Sequence, residues 1–340
     1  MILHFIQGTA NDQVQAVRDR LEGEGIRTLL STETARPIVG VIDKVSEGLM
    51  AELKSDARIE SFHKCRGDKR MVERAFRENP MVVKVGKVEI GPEKCVVMAG
   101  PCSVEGREIM MDAARLAKDA GAHVLRGGAY KPRTSPYSFQ GFGVEGLDQL
   151  KSAGEHFDMP VVTEIMDASH LPAFVDHDID MLQIGARNMQ NFTMLKAIAG
   201  AGIPILLKRA LSGTVDEWLY SAEYLSAFGC PQVVLCEPGI RTYEPATRNT
   251  LDLTVLPLLR EWTHLPIIVD PAHAVGVARY IRPLAAASIA AGADGLIVES
   301  HPRPEEARSD KDQALLPNEL AAIIADARVQ AAVNGRQFHI

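Results

Sequence analysis

From about residue 94 onward the chain repeats one rhythm: a short, continuously apolar run, then an amphipathic stretch at helical spacing. The apolar runs fall at 96–98, 124–125, 161–163, 181–184, 205–207, 233–235, 267–269 and 296–298. Runs without polar alternation belong to strands buried on both faces, the habit of a parallel sheet. The intervening segments 107–120, 144–155, 189–199, 215–227, 248–261, 279–291 and 317–331 predict helices. Gly121-Ala122, Gly202-Ile203 and Gly292-Ala293 predict stops before strands. Eight β-α units over about 250 residues is the size of a (β/α)8 barrel of the α/β class. An open, doubly wound sheet is the alternative, but no glycine-rich dinucleotide fingerprint follows the first strand.

Residues 1–65 have a different pattern. Strands at 2–6, 28–31, 38–42 and 59–62 and helices at 11–24 and 46–54, with Asn11 and Ser46 as caps, give the order βαββαβ, which is ferredoxin-like. Their polar residues form no catalytic cluster, so a structural or regulatory module is expected. Residues 66–80 are dense in charge and predict a linker helix ending before Pro80. The expected domains are therefore 1–65, the linker 66–80 and a barrel over 81–340.

A net charge of -7 over 340 residues argues against general nucleic-acid binding. Any cluster of cations is then a local anion site. No apolar run is long enough to span a membrane, and the N-terminus lacks a secretory pattern. Five cysteines without paired zinc spacing suggest reduced thiols in a cytoplasm.

A barrel of this kind carries its active site at the C-terminal ends of the strands. At those ends the chain places, in order, Cys102; Arg126 and Lys131; Glu164; Arg187; Lys208-Arg209; Glu237 and Arg241; Asp270 and His273; and Glu299, His301 and Asp310. Singly, Cys102 reads as a small core residue, His273 as a rim histidine, and Glu299 and Asp310 as solvated acids. Four such residues at one end of one barrel instead suit a divalent first-row metal (Mn, Fe, Co or Zn) with a position open to substrate. Arg126, Lys131, Arg133, Arg187, Lys208 and Arg241 suit substrates with several anionic groups. The loop over 123–143 gathers three of these cations among glycines and prolines. A metal that polarises a carbonyl beside cations that hold phosphates fits addition to a sugar-phosphate aldehyde. Lys208 also admits a Schiff-base role in a metal-free aldolase.

Six ordered motifs carry a specific resemblance: Ala99-Gly100-Pro101-Cys102-Ser103, Lys131-Pro132-Arg133-Thr134-Ser135, Gly185-Ala186-Arg187-Asn188, Leu207-Lys208-Arg209, Asp270-Pro271-Ala272-His273, and Glu299-Ser300-His301-Pro302 followed by Ser309-Asp310. From about residue 80 onward the chain resembles the type I 3-deoxy-D-arabino-heptulosonate-7-phosphate (DAHP) synthases of the β subfamily. Residues 1–65 resemble the ferredoxin-like extension of some members. The resemblance implies condensation of phosphoenolpyruvate, erythrose 4-phosphate and water to DAHP and phosphate, the first step of the shikimate pathway. It implies Cys102, His273, Glu299 and Asp310 as metal ligands. It places Arg126, Lys131, Ala186, Arg187, Lys208 and Arg241 around phosphoenolpyruvate. Arg133, Thr134 and Ser135 fall at the erythrose 4-phosphate phosphate, with Asp270 near that sugar. Lys131 or Lys208 would relay a proton, and Glu164 would orient a lysine or water.

The main rival is the sister synthase that makes 3-deoxy-D-manno-octulosonate 8-phosphate from arabinose 5-phosphate. Its loop resembles Lys-Ala-Asn-Arg-Ser, whereas this chain has Pro132 and Arg133, which shorten the pocket toward a four-carbon sugar. One departure from the family pattern is Val275-Gly276, where relatives often have Ser-Gly-Gly; a local packing change is expected. A catalytically dead scaffold is a further alternative, disfavoured by the full set of site residues. The resemblance also suggests a homotetramer, and tyrosine or phenylalanine inhibition through residues 1–65. A packing or oligomerisation module is the other reading of that unit.

Overall fold

The structure is a computed structural model and describes residues 1–31, 34–133 and 135–339. The chain divides into two compact units, 1–81 with 258–264, and 82–257 with 265–340.

The first unit contains β1 (Ile2–Phe5), α1 (Asn11–Gly23), β2 (Thr28–Ser31), β3 (Ile38–Val41), α2 (Glu47–Ser55) and β4 (Ile59–His63). Its sheet order is β2-β3-β1-β4, all antiparallel, as in a ferredoxin-like fold. The two-residue period of β1 sends Leu3 and Phe5 to one face, where they pack with Val14, Val17, Leu21, Leu49 and Leu53 of the two helices. Ile2 goes to the other face and packs with Ile38 and Phe76. Ser46 caps α2 through Leu49 N, but Ala10 rather than Asn11 occupies the cap of α1.

The expected linker helix over 66–80 is not present. That segment holds one 3₁₀ turn, Arg74–Phe76, and belongs to the first unit rather than to a separate linker. Its charges were misleading because several are buried rather than solvated: Lys69, Arg70 and Glu73 are all below 8% exposure. Arg70 donates to the carbonyls of Gly67 and Lys69, backbone that a helix would have satisfied itself, and to Val41 O at the end of β3. His264 contacts Met71 O at 2.7 Å, and Arg66 stacks 4.2 Å over Trp262, which accounts for the inclusion of 258–264.

The second unit opens with a hairpin, β5 (Val83–Val85) and β6 (Val88–Ile90). Eight parallel strands follow: β7 (Lys94–Gly100), β8 (Val124–Arg126), β9 (Val161–Glu164), β10 (Met181–Ile184), β11 (Ile205–Lys208), β12 (Val233–Glu237), β13 (Ile267–Val269) and β14 (Gly295–Glu299). Each pairs with the next, and β14 pairs with β7 to close the barrel. Nearly every residue in these strands is buried, which is why they read as unbroken apolar runs. The helices are α3 (Arg107–Ala120), α4 (Val144–His156), α5 (Leu171–Asp176), α6 (Phe192–Ala199), α7 (Val215–Ala227), α8 (Val255–Trp262), α9 (Pro271–Val275), α10 (Ile281–Ala290) and α11 (Pro317–Val333). A last strand, β15 (Gln337–Phe338), pairs with the start of β7.

Two helices begin later than their apolar spacing predicts. The segment expected to be helical from 189 begins at Phe192, after a 3₁₀ turn over Ala186–Asn188. The segment expected from 248 begins at Val255, because its first residues are pinned to the backbone of α9. Asn249 N donates to Ala274 O at 2.7 Å and Asn249 Nδ2 to His273 O at 3.1 Å. No helix among the described residues is long and apolar enough to cross a membrane.

Candidate active site

The C-terminal ends of the eight strands surround a cavity of about 640 Å³. The cations Arg126, Lys131, Arg133, Arg187, Lys208 and Arg241 all line it. Ser135, Glu164, Ala186, His273 and Asp310 contribute further wall. Thr134 lies outside the described residues. Cys102 and Glu299 are buried and touch lining residues without lining the cavity themselves.

Three of the expected metal donors meet: one ligand atom each from Cys102, Glu299 and Asp310 lies within 4.8 Å of the others. Cys102 Sγ is 3.0 Å from Asp310 Oδ2. His273 is outside that 4.8 Å group but adjoins it, with Nε2 3.5 Å from Glu299 Oε1. The local sequence explains His273's position. Asp270 caps the short helix α9 by accepting from His273 N, and Pro271 starts it. Asp310 sits at φ 50, a left-handed conformation that aspartate tolerates better than most residues. Soft sulfur, imidazole and two carboxylates in this space fit a divalent first-row metal.

The surrounding charges divide cleanly. Arg126 Nη1 donates to Glu299 Oε1 at 2.7 Å and to Pro101 O at 3.0 Å. Burial opposes ionisation of Glu299, but His273, Arg126 and Lys131 hold its carboxyl down at about 2. Burial pushes the Cys102 thiol up to about 12, reinforced by Glu299 and opposed by Lys131 and Arg126. Lys131 Nζ lies 2.9 Å from Cys102 O and 3.0 Å from Cys102 Sγ. Gly128 permits this fold-back, because a Cβ there would meet Lys131 Cδ at 2.7 Å and Cys102 O at 2.9 Å. The glycine therefore admits the chain's own lysine.

Lys208 forms a buried ion pair with Asp270. Burial disfavours the ammonium, yet Asp270 outweighs it and raises the lysine above its ordinary value. A Schiff-base nucleophile needs the opposite shift, so the geometry does not suit that alternative. Burial likewise disfavours the Asp270 carboxylate, but His273 and Lys208 hold it well below the usual range. His273 Nδ1 is 2.7 Å from Asp270 Oδ2, although off the ring N–H axis needed for a hydrogen bond. Asp270 does not line the cavity itself; it holds Lys208 and His273, which do.

Several cations retain unused donors. Arg133 Nε donates to Phe139 O at 2.9 Å, while its buried Nη2 has no hydrogen-bond partner among the described residues. Arg126 Nε is buried in the same condition. Arg187 and Arg241 are exposed to the cavity without an ion pair among the described residues. Buried donors without acceptors are costly, which makes Arg126 Nε and Arg133 Nη2 the notable pair among these cations.

The comparisons bear on which ligand. The model described as the DAHP synthetase I family matches residues 73–331. The chain belongs to the DAHP synthetase I family. The phospho-2-dehydro-3-deoxyheptonate aldolase of Thermotoga maritima is 42% identical over 315 residues, 93% of each chain. A crystal structure of the Thermotoga maritima phospho-2-dehydro-3-deoxyheptonate aldolase (DAHP synthase) matches with a TM-score of 0.79 at 39% identity, over 99% of both chains. A 2-dehydro-3-deoxyphosphooctonate aldolase of Acidithiobacillus ferrooxidans is 30% identical over 237 residues, 64% of this chain and 83% of its own.

Some site residues of this DAHP synthetase I member escaped the sequence reading. Gln313 Nε2 donates to Glu299 Oε2 at 2.6 Å, and its Oε1 accepts from Arg248 Nη1 at 3.0 Å. Gln183 lines the cavity and donates to Glu164 at 3.4 Å. Neither position carries a motif: Gln183 sits between the apolar Leu182 and Ile184, and Gln313 follows the charged pair Lys311-Asp312, and neither setting has a distinctive spacing. Arg209 was grouped with Lys208 at the end of the fifth strand. It lies outside the cavity lining and bridges Glu237 at 3.1 Å and Asp252 at 2.8 Å. Adjacent strand residues face opposite sides, which separates the two cations.

Proposed function

We propose that this chain condenses phosphoenolpyruvate with erythrose 4-phosphate and water to give DAHP and phosphate. The observation that carries the reading is the packing of the Cys102, Glu299 and Asp310 donors beside Arg126 and Lys131, at one cation-lined cavity. Cys102, His273, Glu299 and Asp310 would hold a divalent metal (Mn, Fe, Co or Zn), which when bound supplies a Lewis acid to the acceptor aldehyde oxygen.

The chain's own residues do the rest. Arg126, Lys131, Arg187, Lys208 and Arg241 bind the phosphate and carboxylate of phosphoenolpyruvate, with Ala186 beside them, and fix its enol C3 toward the acceptor. Arg133, Thr134 and Ser135 bind the phosphate of erythrose 4-phosphate. C3 attacks the aldehyde carbon, and positive charge develops at C2. Glu164 orients the water that adds there. The hemiketal phosphate then loses phosphate by C–O cleavage. Lys131, which makes no carboxylate ion pair among the described residues, relays the proton. Lys208, raised by Asp270, stays a fixed cation, and Asp270 acts by holding it.

The octulosonate reaction, with arabinose 5-phosphate as acceptor, is the rival. Pro132 and Arg133 favour the shorter sugar; both line the cavity, and Arg133 Nη2 is buried with no hydrogen-bond partner among the described residues, which supports Arg133 as a phosphate donor. Phosphate release from phosphoenolpyruvate on adding erythrose 4-phosphate, and its absence with arabinose 5-phosphate, is the expected outcome. The reverse preference would assign the chain to the rival. For the first unit we propose inhibition by tyrosine or phenylalanine, within a homotetramer. Titration of each amino acid against turnover, with gel filtration of the same sample, tests both.

A further inference from the structure

One segment, 301–310, touches both halves of the site. It ends at Asp310, whose Oδ2 accepts from the Cys102 thiol. It is fastened to the loop after Cys102 by Ser309 Oγ, 2.6 Å from Ser103 Oγ, and by Arg308 N, which donates to Glu105 Oε1 at 2.9 Å. Ser103 Oγ donates to the same Glu105 oxygen at 2.8 Å. Glu105, Ser103 and Ser309 are all buried. These contacts hold the backbone from which the Arg308 side chain projects.

That side chain reaches the other half. The Arg308 guanidinium lies 4.7 Å from the Phe139 ring centroid and 5.8 Å from that of Phe142. The two rings meet edge to face at 5.3 Å. Phe139 O in turn accepts from Arg133 Nε at 2.9 Å, and this contact holds the guanidinium of a cavity-lining residue whose Nη2 is buried with no hydrogen-bond partner among the described residues. The connection runs from Glu105 to Arg308, then to Phe139, then to Arg133.

Resting on the function proposed above, we infer that Arg308 is a positioning residue for the acceptor phosphate: by stacking on Phe139 and Phe142 it holds Arg133 in place. It touches no substrate. It selects for the acceptor because Arg133, and not the residues around phosphoenolpyruvate, depends on it. A cation over two aromatic rings near the surface is worth a severalfold change in an equilibrium constant.

The test is steady-state kinetics and binding on R308A, R308K and F139L in the metal-loaded full chain. R308A should raise KM for erythrose 4-phosphate by about three- to tenfold. It should leave kcat, KM for phosphoenolpyruvate and bound metal within about twofold of the parent. R308K should recover most of the loss, since it keeps the cation over the rings. F139L should match R308A, and the double variant should be no worse than either single. Binding of inorganic phosphate to the enzyme saturated with phosphoenolpyruvate reads Arg133 without turnover and should weaken in parallel. Parental activity with erythrose 4-phosphate in the same assay tests the underlying reading. Active parent enzyme with an unchanged R308A acceptor KM, or equal loss for both substrates, overturns the inference alone. If the parent is inactive, phosphate bound equally by parent and R308A overturns it as well.

Discussion

Lys208 Nζ lies 2.5 Å from Asp270 Oδ2, with both side chains almost wholly buried beside the cavity. A buried pair of this kind is weak evidence for stability, since desolvation offsets much of the attraction. Its use here is positional: it keeps an ammonium charged at the wall where an enol phosphate would bind. K208A should lower turnover by about 100-fold or more while bound metal persists. The orphaned Asp270 should also cost about 3–5 kcal/mol of stability. Unchanged turnover in a folded, metal-loaded K208A chain removes Lys208 from the mechanism.

Gly185 offers a test of Glu164 that leaves the acid itself in place. A Cβ at Gly185 would come within 2.0 Å of Glu164 Oε1, while the backbone φ of -67 accepts alanine without strain. The carboxylate, at the end of a flexible side chain, must swing away. G185A should therefore keep the parental melting temperature within a few degrees and lower kcat by about tenfold or more. Parental kcat would show that Glu164 orients nothing in the reaction.

Gln313 ties Glu299 Oε2 at 2.6 Å, leaving Oε1 to Arg126 and the His273 side. Partners that orient metal-ligating carboxylates typically matter by about 10–100-fold in affinity. Q313L should weaken metal binding by that factor in equilibrium dialysis against Mn, with kcat recovering at saturating metal. Parental affinity would make the glutamine a packing residue only.

Glu237 is buried against Arg209, and burial pushes its carboxyl up to about 7, with Arg209 and the Gly239 N–H opposing. A carboxyl raised on folding holds its proton more tightly in the folded chain. Its stabilising contribution is full below about 4.5, its ordinary value, and is lost as pH rises through about 7. Thermal melts of the parent and E237Q from pH 4.5 to 8 should therefore diverge, the parent losing stability relative to E237Q as pH rises. Parallel curves would contradict the shift.

The barrel was legible because burial on both faces leaves a strand no room for polar residues. Ile267-Ile268-Val269 is a strand by that argument alone, and the Asp270-Pro271 start of α9 shows how His273 is presented. Two regions hid for the opposite reason, that polar residues were spent on backbone. Arg70 binds the carbonyls of Gly67 and Lys69, in the segment that the charge pattern assigned to a solvated helix, and Asn249 pins a segment whose apolar spacing predicted helix from residue 248. At the site, residue types located the donors and cations by strand end. Which carboxylate faces which cation depends on side-chain direction, so the pairing of Asp270 with Lys208 could not be read from the residue types alone. Contacts between distant segments, such as Gln313 with Glu299, leave no periodic trace in a single sequence.

The central claim is a metal-dependent condensation that selects erythrose 4-phosphate. The most direct measurement follows consumption of phosphoenolpyruvate by the full chain with erythrose 4-phosphate or arabinose 5-phosphate, each before chelation, after chelation and after adding back Mn. The account predicts turnover with erythrose 4-phosphate only, lost on chelation and restored by Mn. Turnover that survives exhaustive chelation, or that favours arabinose 5-phosphate, would contradict it.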